Sequence, residues 1–326
     1  MNTSPCFSIT DEASFQEVAL QVFREQSNQV KVYREYLEAI QVDPLTVSRW
    51  EDIPYLPIEF FRTREVINDD LKAEVIFQSS GSTSTQPSKH FVADTSIYIE
   101  SFMRGFTQTY GDISQYALLA LLPSYLQKGD SSLVFMTDHL IRESKNSFSG
   151  FYLDDYASLS KALLTLKEHR QPTLLLGVSY ALLDLAEQFP MQFPELIIME
   201  TGGMKGRRKE LVKEELHSIL KSGFGVEKIH AEYGMTELLS QAYSTGDGIF
   251  YCPPWMKVRI REMNDPFHFV DHQKTGGVCI TDLANLNSCA FIATQDLGRF
   301  YLNGSFEILG RFDDAEARGC NLLVDF

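Results

Sequence analysis

The chain has 326 residues, 44% of them hydrophobic and 22% charged, which is enough for a large core and ordinary for a globular protein. Its formal net charge of −15 disfavours nucleic acid as a partner, since a phosphate backbone needs a basic face. Any anionic ligand must be held by local donors working against that field, and a divalent cation would help.

The opening MNTSPCFSIT has neither a basic n-region nor an apolar h-region, so no signal peptide is expected. No apolar run reaches about 18 residues, so no transmembrane segment is expected either. The five cysteines (Cys6, Cys252, Cys279, Cys289, Cys320) form no CxxC pair. Their odd number and wide spacing fit the reduced thiols of a cytoplasmic protein.

Residues 11–36 read as one or two amphipathic helices, with Phe15, Ala19, Val22 and Phe23 at helical spacing and Thr10 as the cap. DIPYLPIEFF (52–61) holds two prolines and reads as an extended segment against the core. Residues 75–78 read as a short strand entering SSGSTSTQPSK (79–89). Small residues there let backbone N–H groups approach an oxyanion, hydroxyls add donors, and Lys89 adds charge. The loop lacks the Gly-Lys-Ser/Thr ending of a P-loop, and on turn chemistry alone such a run is more often a plain surface loop. Residues 95–110 read as a helix, giving a strand, a hydroxyl-rich loop and a helix in sequence.

Residues 117–122 are a continuous apolar run, as in a strand buried on both faces. Residues 131–142 and 155–169 read as helices. Then the pattern alternates: strand 173–177, helix 179–189, strand 196–200, loop TGGMKGRR (201–208), a helix to 222, and strand 228–231 running into EYGMTEL. This alternation predicts an α/β fold with a parallel sheet covered by helices on both faces. Ligands of such sheets sit at the carboxyl ends of strands, so the loops 79–89, 201–208 and 232–238 are expected to converge. From residue 251 the texture changes to short strands, in TGGVCITDL (275–283), AFIATQDLG (290–298) and FEILGRFDD (306–314). The expected organisation is an α/β core with N-terminal helices over 1–250. A small β-subdomain and C-terminal tail of the same domain follow over 251–326.

SSGSTSTQPSK, EYGMTE, TQD and GR stand in one order, and that order resembles the adenylate-forming superfamily of acyl-CoA synthetases, peptide-synthetase adenylation domains and luciferases. The resemblance covers about residues 79–319. It is closer to the acyl-protein synthetase branch, the fatty-acid-activating component of bacterial bioluminescence. The residues that carry this are Phe23, Gln26, Asn28 and Tyr36, DIPYLPIEFF, SSLVFMTDHLI (131–141), ETGGMKGRR (200–208) and RGC (318–320). The resemblance implies the large N-terminal domain of these enzymes, without the small mobile C-terminal domain and its lysine. It implies ATP and Mg²⁺ as cofactors and a carboxylic acid, here a fatty acid, as substrate.

Roles follow from the same resemblance. Ser80, Gly81, Ser82, Thr83 and Lys89 would hold the β- and γ-phosphates. Gly202 and Gly203 would line the adenine pocket, with Tyr233 on the adenine face and Gly234 beside it. Thr236 would bond the α-phosphate and Glu237 would hold Mg²⁺. Asp296 would take the ribose hydroxyls, Arg311 would donate to the ribose or the adduct, and Cys320 would accept the acyl group as a thioester.

Read singly, each residue has a plainer role. Asp296 is a turn residue, Glu237 an acid in a helix's first turn, Tyr233 a core ring, and Cys320 a small buried hydrophobe. Arg311 then pairs with Asp313 or Asp314, and Lys205, Arg207 and Arg208 form a solvated loop. Ser84 stands where the superfamily has glycine, with extra residues before Lys89. The expected activity is acyl-protein synthesis, with an acceptor protein, a reductase or CoA as partner. The alternatives are a phenylacetate-CoA-ligase-like enzyme and a non-catalytic subunit that binds nucleotide or acyl carrier.

Overall fold

The computed structural model describes residues 4–79, 86–122, 130–202 and 211–312. Helix α1 (Glu12–Gln29) starts at Asp11, not Thr10. The Asp11 carboxylate accepts from Ser14 N at 2.8 Å while Asp11 N donates to Ser14 Oγ at 3.1 Å. This reciprocal box satisfies two of the helix's free donors. Helix α2 (Lys31–Ala39) follows, then β1 (Leu56–Pro57) and the short α3 (Phe60–Thr63), so the end of DIPYLPIEFF turns helical.

Strands β2 (Val75–Gln78) and β3 (Lys89–Val92) form an antiparallel hairpin, with Gln78 opposite Lys89. This corrects the expected order of strand, loop and helix: a second strand intervenes before α4 (Thr95–Tyr110). The reason is a short period of two, because Ser88, His90 and Val92 are buried while Lys89 is exposed. The hydroxyl-rich segment therefore belongs to a hairpin rather than to the end of a parallel strand.

The middle of the chain builds β4 (Ala117–Leu121), α5 (Ser132–Ser144), β5 (Gly150–Phe151), α6 (Tyr156–Glu168), β6 (Thr173–Val178), α7 (Ser179–Gln188), β7 (Ile197–Thr201), α8 (Lys213–Phe224) and β8 (His230–Tyr233). These strands, with β9 (Ala242–Ser244), form a sheet in the order β5-β4-β6-β7-β8-β9. All pairs are parallel except β8–β9. Alternate side chains point to opposite faces and both sets are apolar. Leu118, Leu174, Leu176 and Met199 join one core with Phe102 and Phe106 of α4. Leu119, Leu175 and Ile198 join a second with Leu163 of α6, Leu182 of α7 and Leu220 of α8. Strand order steps to one side from β4 to β5 and back past β4 to β6, so the carboxyl edge beside β4 and β6 is the topological switch point.

The rest of the chain adds β10 (Ile249–Phe250), β11 (Met256–Arg261), β12 (Thr275–Asp282), β13 (Phe291–Phe300) and β14 (Phe306–Arg311). Their sheet has the order β10-β14-β13-β12-β11, and β1 lies parallel on β13, Leu56 opposite Ile292. It thus draws β1 and β10 from before residue 251. It also shares its core with the N-terminal helices: the Phe291 ring lies 6.0 Å from Phe23 and 6.2 Å from Tyr33. Among the described residues no helix is long and apolar enough to cross a membrane.

Candidate active site

Strand β8 ends at Tyr233, and the chain then makes a turn closed by Leu238 N donating to Met235 O at 3.1 Å. Thr236 and Glu237 are the two central residues of this turn, so Glu237 is not a first-turn helix acid. Three groups far away in sequence hold the turn. His90 Nδ1 lies 2.9 Å from Thr236 O, and Asn285 Nδ2 donates to Glu237 O at 2.8 Å. Asp282, fully buried at the end of β12, accepts from Leu239 N at 2.8 Å, Ser240 N at 3.0 Å and Ser240 Oγ at 2.5 Å. Burial pushes the Asp282 pKa up and these donors pull against it.

Glu237 is 5% exposed. Burial raises its pKa, Asp296 adds to the rise, and the Ser88 side chain and Arg62 oppose it. Ser88 closes the hydroxyl-rich segment: its N–H donates to Ser79 Oγ at 3.0 Å, and Ser79 N donates to Ser88 O at 3.0 Å. The structure therefore brings the base of that segment to the Thr236–Glu237 turn. Ser80, Gly81, Ser82 and Thr83 lie outside the described residues. Lys89 is exposed on the face of β3 opposite Ser88 and His90.

Tyr233 donates its hydroxyl to Asp296 Oδ2 at 2.7 Å, which joins the edge of the parallel sheet to β13. Its ring meets Phe306 edge-on at 5.6 Å and Phe250 at 5.8 Å. Burial, then the Asp296 charge, drive the phenol pKa far up. Asp296 sits in β13 directly opposite Arg311 of β14. The Arg311 guanidinium is exposed and donates to Gln295 Oε1 at 3.0 Å. Asp296 is thus a strand residue with a buried-side partner, not a turn residue.

Two buried carboxylates flank this edge. Glu200 of β7 has Ser179 Oγ at 2.9 Å, His217 Nε2 at 3.5 Å and Lys213 Nζ at 3.8 Å. Burial alone would raise its pKa, but these partners hold it below the usual range. Ser179 Oγ also lies 3.0 Å from Gly202 O. Gly202 has φ +68°, the left-handed region that favours glycine. Glu232 of β8, 9% exposed, accepts from Thr201 Oγ1 at 2.6 Å, and burial lifts its pKa to about 7. A side chain at Gly234 would place Cβ 2.4 Å from Glu232 Oε1, which explains the glycine. Gly203 and Cys320 lie outside the described residues.

Sequence reasoning did not single out His90, Asp282, Asn285, Glu200 or Glu232, and took Ser88 only as part of the hydroxyl-rich loop. Two left a signal: His90 and Asp282 are polar residues in otherwise apolar strand positions. Among the described residues no group of three or more His, Cys, Asp or Glu side chains forms a metal cage. A cavity of about 630 Å³ lined by Trp50, Met256 and Phe269 lies elsewhere and contains none of the turn residues.

No known family's sequence pattern and no curated protein matches this chain. Solved structures do. 2-Hydroxyisobutyryl-CoA ligase in the postadenylation state, in complex with 2-HIB-AMP, superposes with a TM-score of 0.68 at 14% identity, over 93% of this chain and 68% of that one. Its open conformation with 2-HIB-AMP and CoA gives a TM-score of 0.68 at 14% identity, over 93% and 75%. ATP-bound MatB from Rhodopseudomonas palustris gives 0.56 at 16% identity, over 72% of this chain and 47% of that one. The chain thus spans about half the length of MatB, and its architecture is the mixed α/β fold of adenylate-forming ligases.

Proposed function

We propose that the protein activates a carboxylic acid, a fatty acyl chain in particular, with MgATP and passes it to a thiol. The observation that carries this reading is the meeting of three segments at one sheet edge. Thr236 and Glu237 sit on a rigid turn, Ser88 brings the hydroxyl-rich segment to Glu237, and Tyr233 is tied to Asp296 across the two sheets.

Glu237 fits a cation. Its carboxylate is buried beside a second acid, so its charge lacks full compensation, and a hard divalent ion held by Glu237 would supply that. The chemistry Mg²⁺ supplies when bound is neutralisation of phosphate charge. Thr236 donates its hydroxyl to the α-phosphate, Asp296 accepts from the ribose, and Tyr233 presents its ring to the base. The acid's carboxylate attacks the α-phosphorus, pyrophosphate leaves, and an acyl-adenylate forms. A thiolate then attacks the acyl carbon and AMP leaves as the thioester forms.

The acceptor we propose is Cys320. Burial raises the pKa of Cys6, Cys279 and Cys289 to about 12 and drives that of Cys252 up as well, so these four are poor nucleophiles. Transfer to CoA is the second reading, favoured by the structural likeness to a ligase solved with CoA. A panel of carboxylic acids in a pyrophosphate-release assay, with and without CoA, tests both. Acid-dependent release is expected, and release unaffected by acid would defeat the reading. A strict CoA requirement would favour the second.

A further inference from the structure

The imidazole of His90 has no role in the reading above, yet it occupies a controlling place. It is 1% exposed and meets the Phe61 ring edge-on at 5.9 Å. Its Nδ1 lies 2.9 Å from Thr236 O. A carbonyl only accepts, so Nδ1 carries the proton of this bond. Burial pushes the ring's pKa down to about 4, so at neutral pH the ring is neutral and the Nδ1–H tautomer is the one that fits. Nε2 is buried and makes no hydrogen bond of good geometry, although the Asn285 side chain lies close enough to act on the ring.

Asn285 acts on the next peptide. It is fully buried and donates to Glu237 O at 2.8 Å. Gln26 of α1 fixes it in turn, donating to Asn285 O at 2.7 Å and accepting from Ala290 N at 2.9 Å. The carbonyls of both central turn residues are therefore gripped from the buried side. A peptide unit in a turn can rotate about its axis, which would re-aim the flanking side chains. Gripping both carbonyls removes that freedom. Ser88, the residue before β3, and His90 within it are both buried on the side away from Lys89, the first reaching Glu237 and the second Thr236.

We propose that His90 is a positioning residue for adenylation: its Nδ1–H, with Asn285 on the neighbouring carbonyl, locks the Thr236–Glu237 turn onto the hairpin that carries the hydroxyl-rich segment. The phosphate donor and the cation-holding carboxylate then face one nucleotide without rearrangement. The inference rests on the function proposed above and adds residues to it.

The test uses the geometry of side-chain amides. In His90→Asn the amide nitrogen falls near the position of Nδ1; in His90→Gln it falls near Nε2. His90→Asn is expected to retain kcat for pyrophosphate release within about threefold of wild type. His90→Gln is expected to lose about 10²-fold, the scale of a misplaced catalytic group. A second readout needs no turnover. Calorimetry should give unchanged adenosine affinity in His90→Gln, while the gain in ATP affinity on adding MgCl₂ shrinks. Should His90→Gln fail to fold by thermal denaturation, Asn285→Ser removes the grip on Glu237 O and is expected to show the same loss. Equal kcat in the folded Asn and Gln variants would overturn the role of His90. A wild type that binds no ATP would instead overturn the proposed function, and this inference with it.

Discussion

Glu232 offers a stability measurement that is independent of catalysis. Its carboxyl is 9% exposed and burial lifts its pKa from the ordinary 4.5 to about 7. A folded pKa above the unfolded one means that the folded state binds the proton more tightly. The group's contribution is fully present below pH 4.5 and is lost as pH rises through 7. Each pH unit of that interval is worth about 1.4 kcal/mol, so ionised Glu232 costs about 3 kcal/mol above pH 7. About 2 kcal/mol of this should return between pH 8 and pH 5.5. Glu232→Gln keeps the shape and an acceptor for the Thr201 hydroxyl, which lies 2.6 Å from the carboxylate, and removes the charge. The favourable effect of that bond on the carboxylate is already contained in the pKa of about 7. The variant is therefore expected to be about 3 kcal/mol more stable than wild type at pH 8, with the advantage falling to about 1 kcal/mol at pH 5.5. Urea unfolding at both pH values measures this. Parallel pH dependence in the two proteins would refute the argument, because it would place the Glu232 proton outside the folding equilibrium.

Thr236→Ala and Glu237→Gln should each lower acid-dependent pyrophosphate release by about 10²–10³ with the fold intact; near-full release in both would misplace the site. Asp296→Ala should raise the KM for ATP more than it lowers kcat, since a ribose contact persists from ground state to transition state; an unchanged KM would remove it from that role. Gly234→Ala sets a methyl carbon 2.4 Å from Glu232 Oε1 and should cost about 1–3 kcal/mol in unfolding free energy, with no loss showing that the β8 end relaxes freely. Labelling with radioactive fatty acid and ATP should leave a hydroxylamine-labile mark that Cys320→Ser abolishes, and retention of the mark would clear Cys320 of the acceptor role.

The parallel sheet was legible because both of its faces are buried. Residues 117–121 and 173–178 are continuous apolar runs with helical stripes between them, and the helix over 95–110 has the expected bounds. The β2–β3 hairpin was not legible, since β3 has only four residues and His90 fills one of its buried slots. Strand β11 was missed although MKVRIR alternates buried and half-buried positions in strict order. Its lysine and arginines disguised a real period of two. At the site, the residues that would touch nucleotide sit in short local motifs and could be read. Those that hold them could not. His90 reaches Thr236 across 146 positions, Asp282 reaches Leu239 across 43, and Gln26 reaches Asn285 across 259. Pairing at such separations leaves no local pattern.

The hairpin changes the electrostatic argument for the site. A phosphate loop that ends a parallel strand and opens a helix draws on that helix's positive end. Here the chain passes from the hydroxyl-rich segment into β3, and the following helix α4 has two of its first N–H donors taken, Thr95 N by Glu74 and Ser96 N by Asp94. Lys89 is exposed on the far face of β3, and the net charge of the chain is −15. Among the described residues, little fixed positive charge is available where the three segments meet, apart from Arg62 near Glu237. Backbone and hydroxyl donors can orient a triphosphate, but they cannot neutralise it. Under the proposed function, a divalent cation arriving with the nucleotide would supply that neutralising charge. On that reading, the buried carboxylate at Glu237, costly by itself, would be offset by the cation it holds beside a segment rich in serines and threonines.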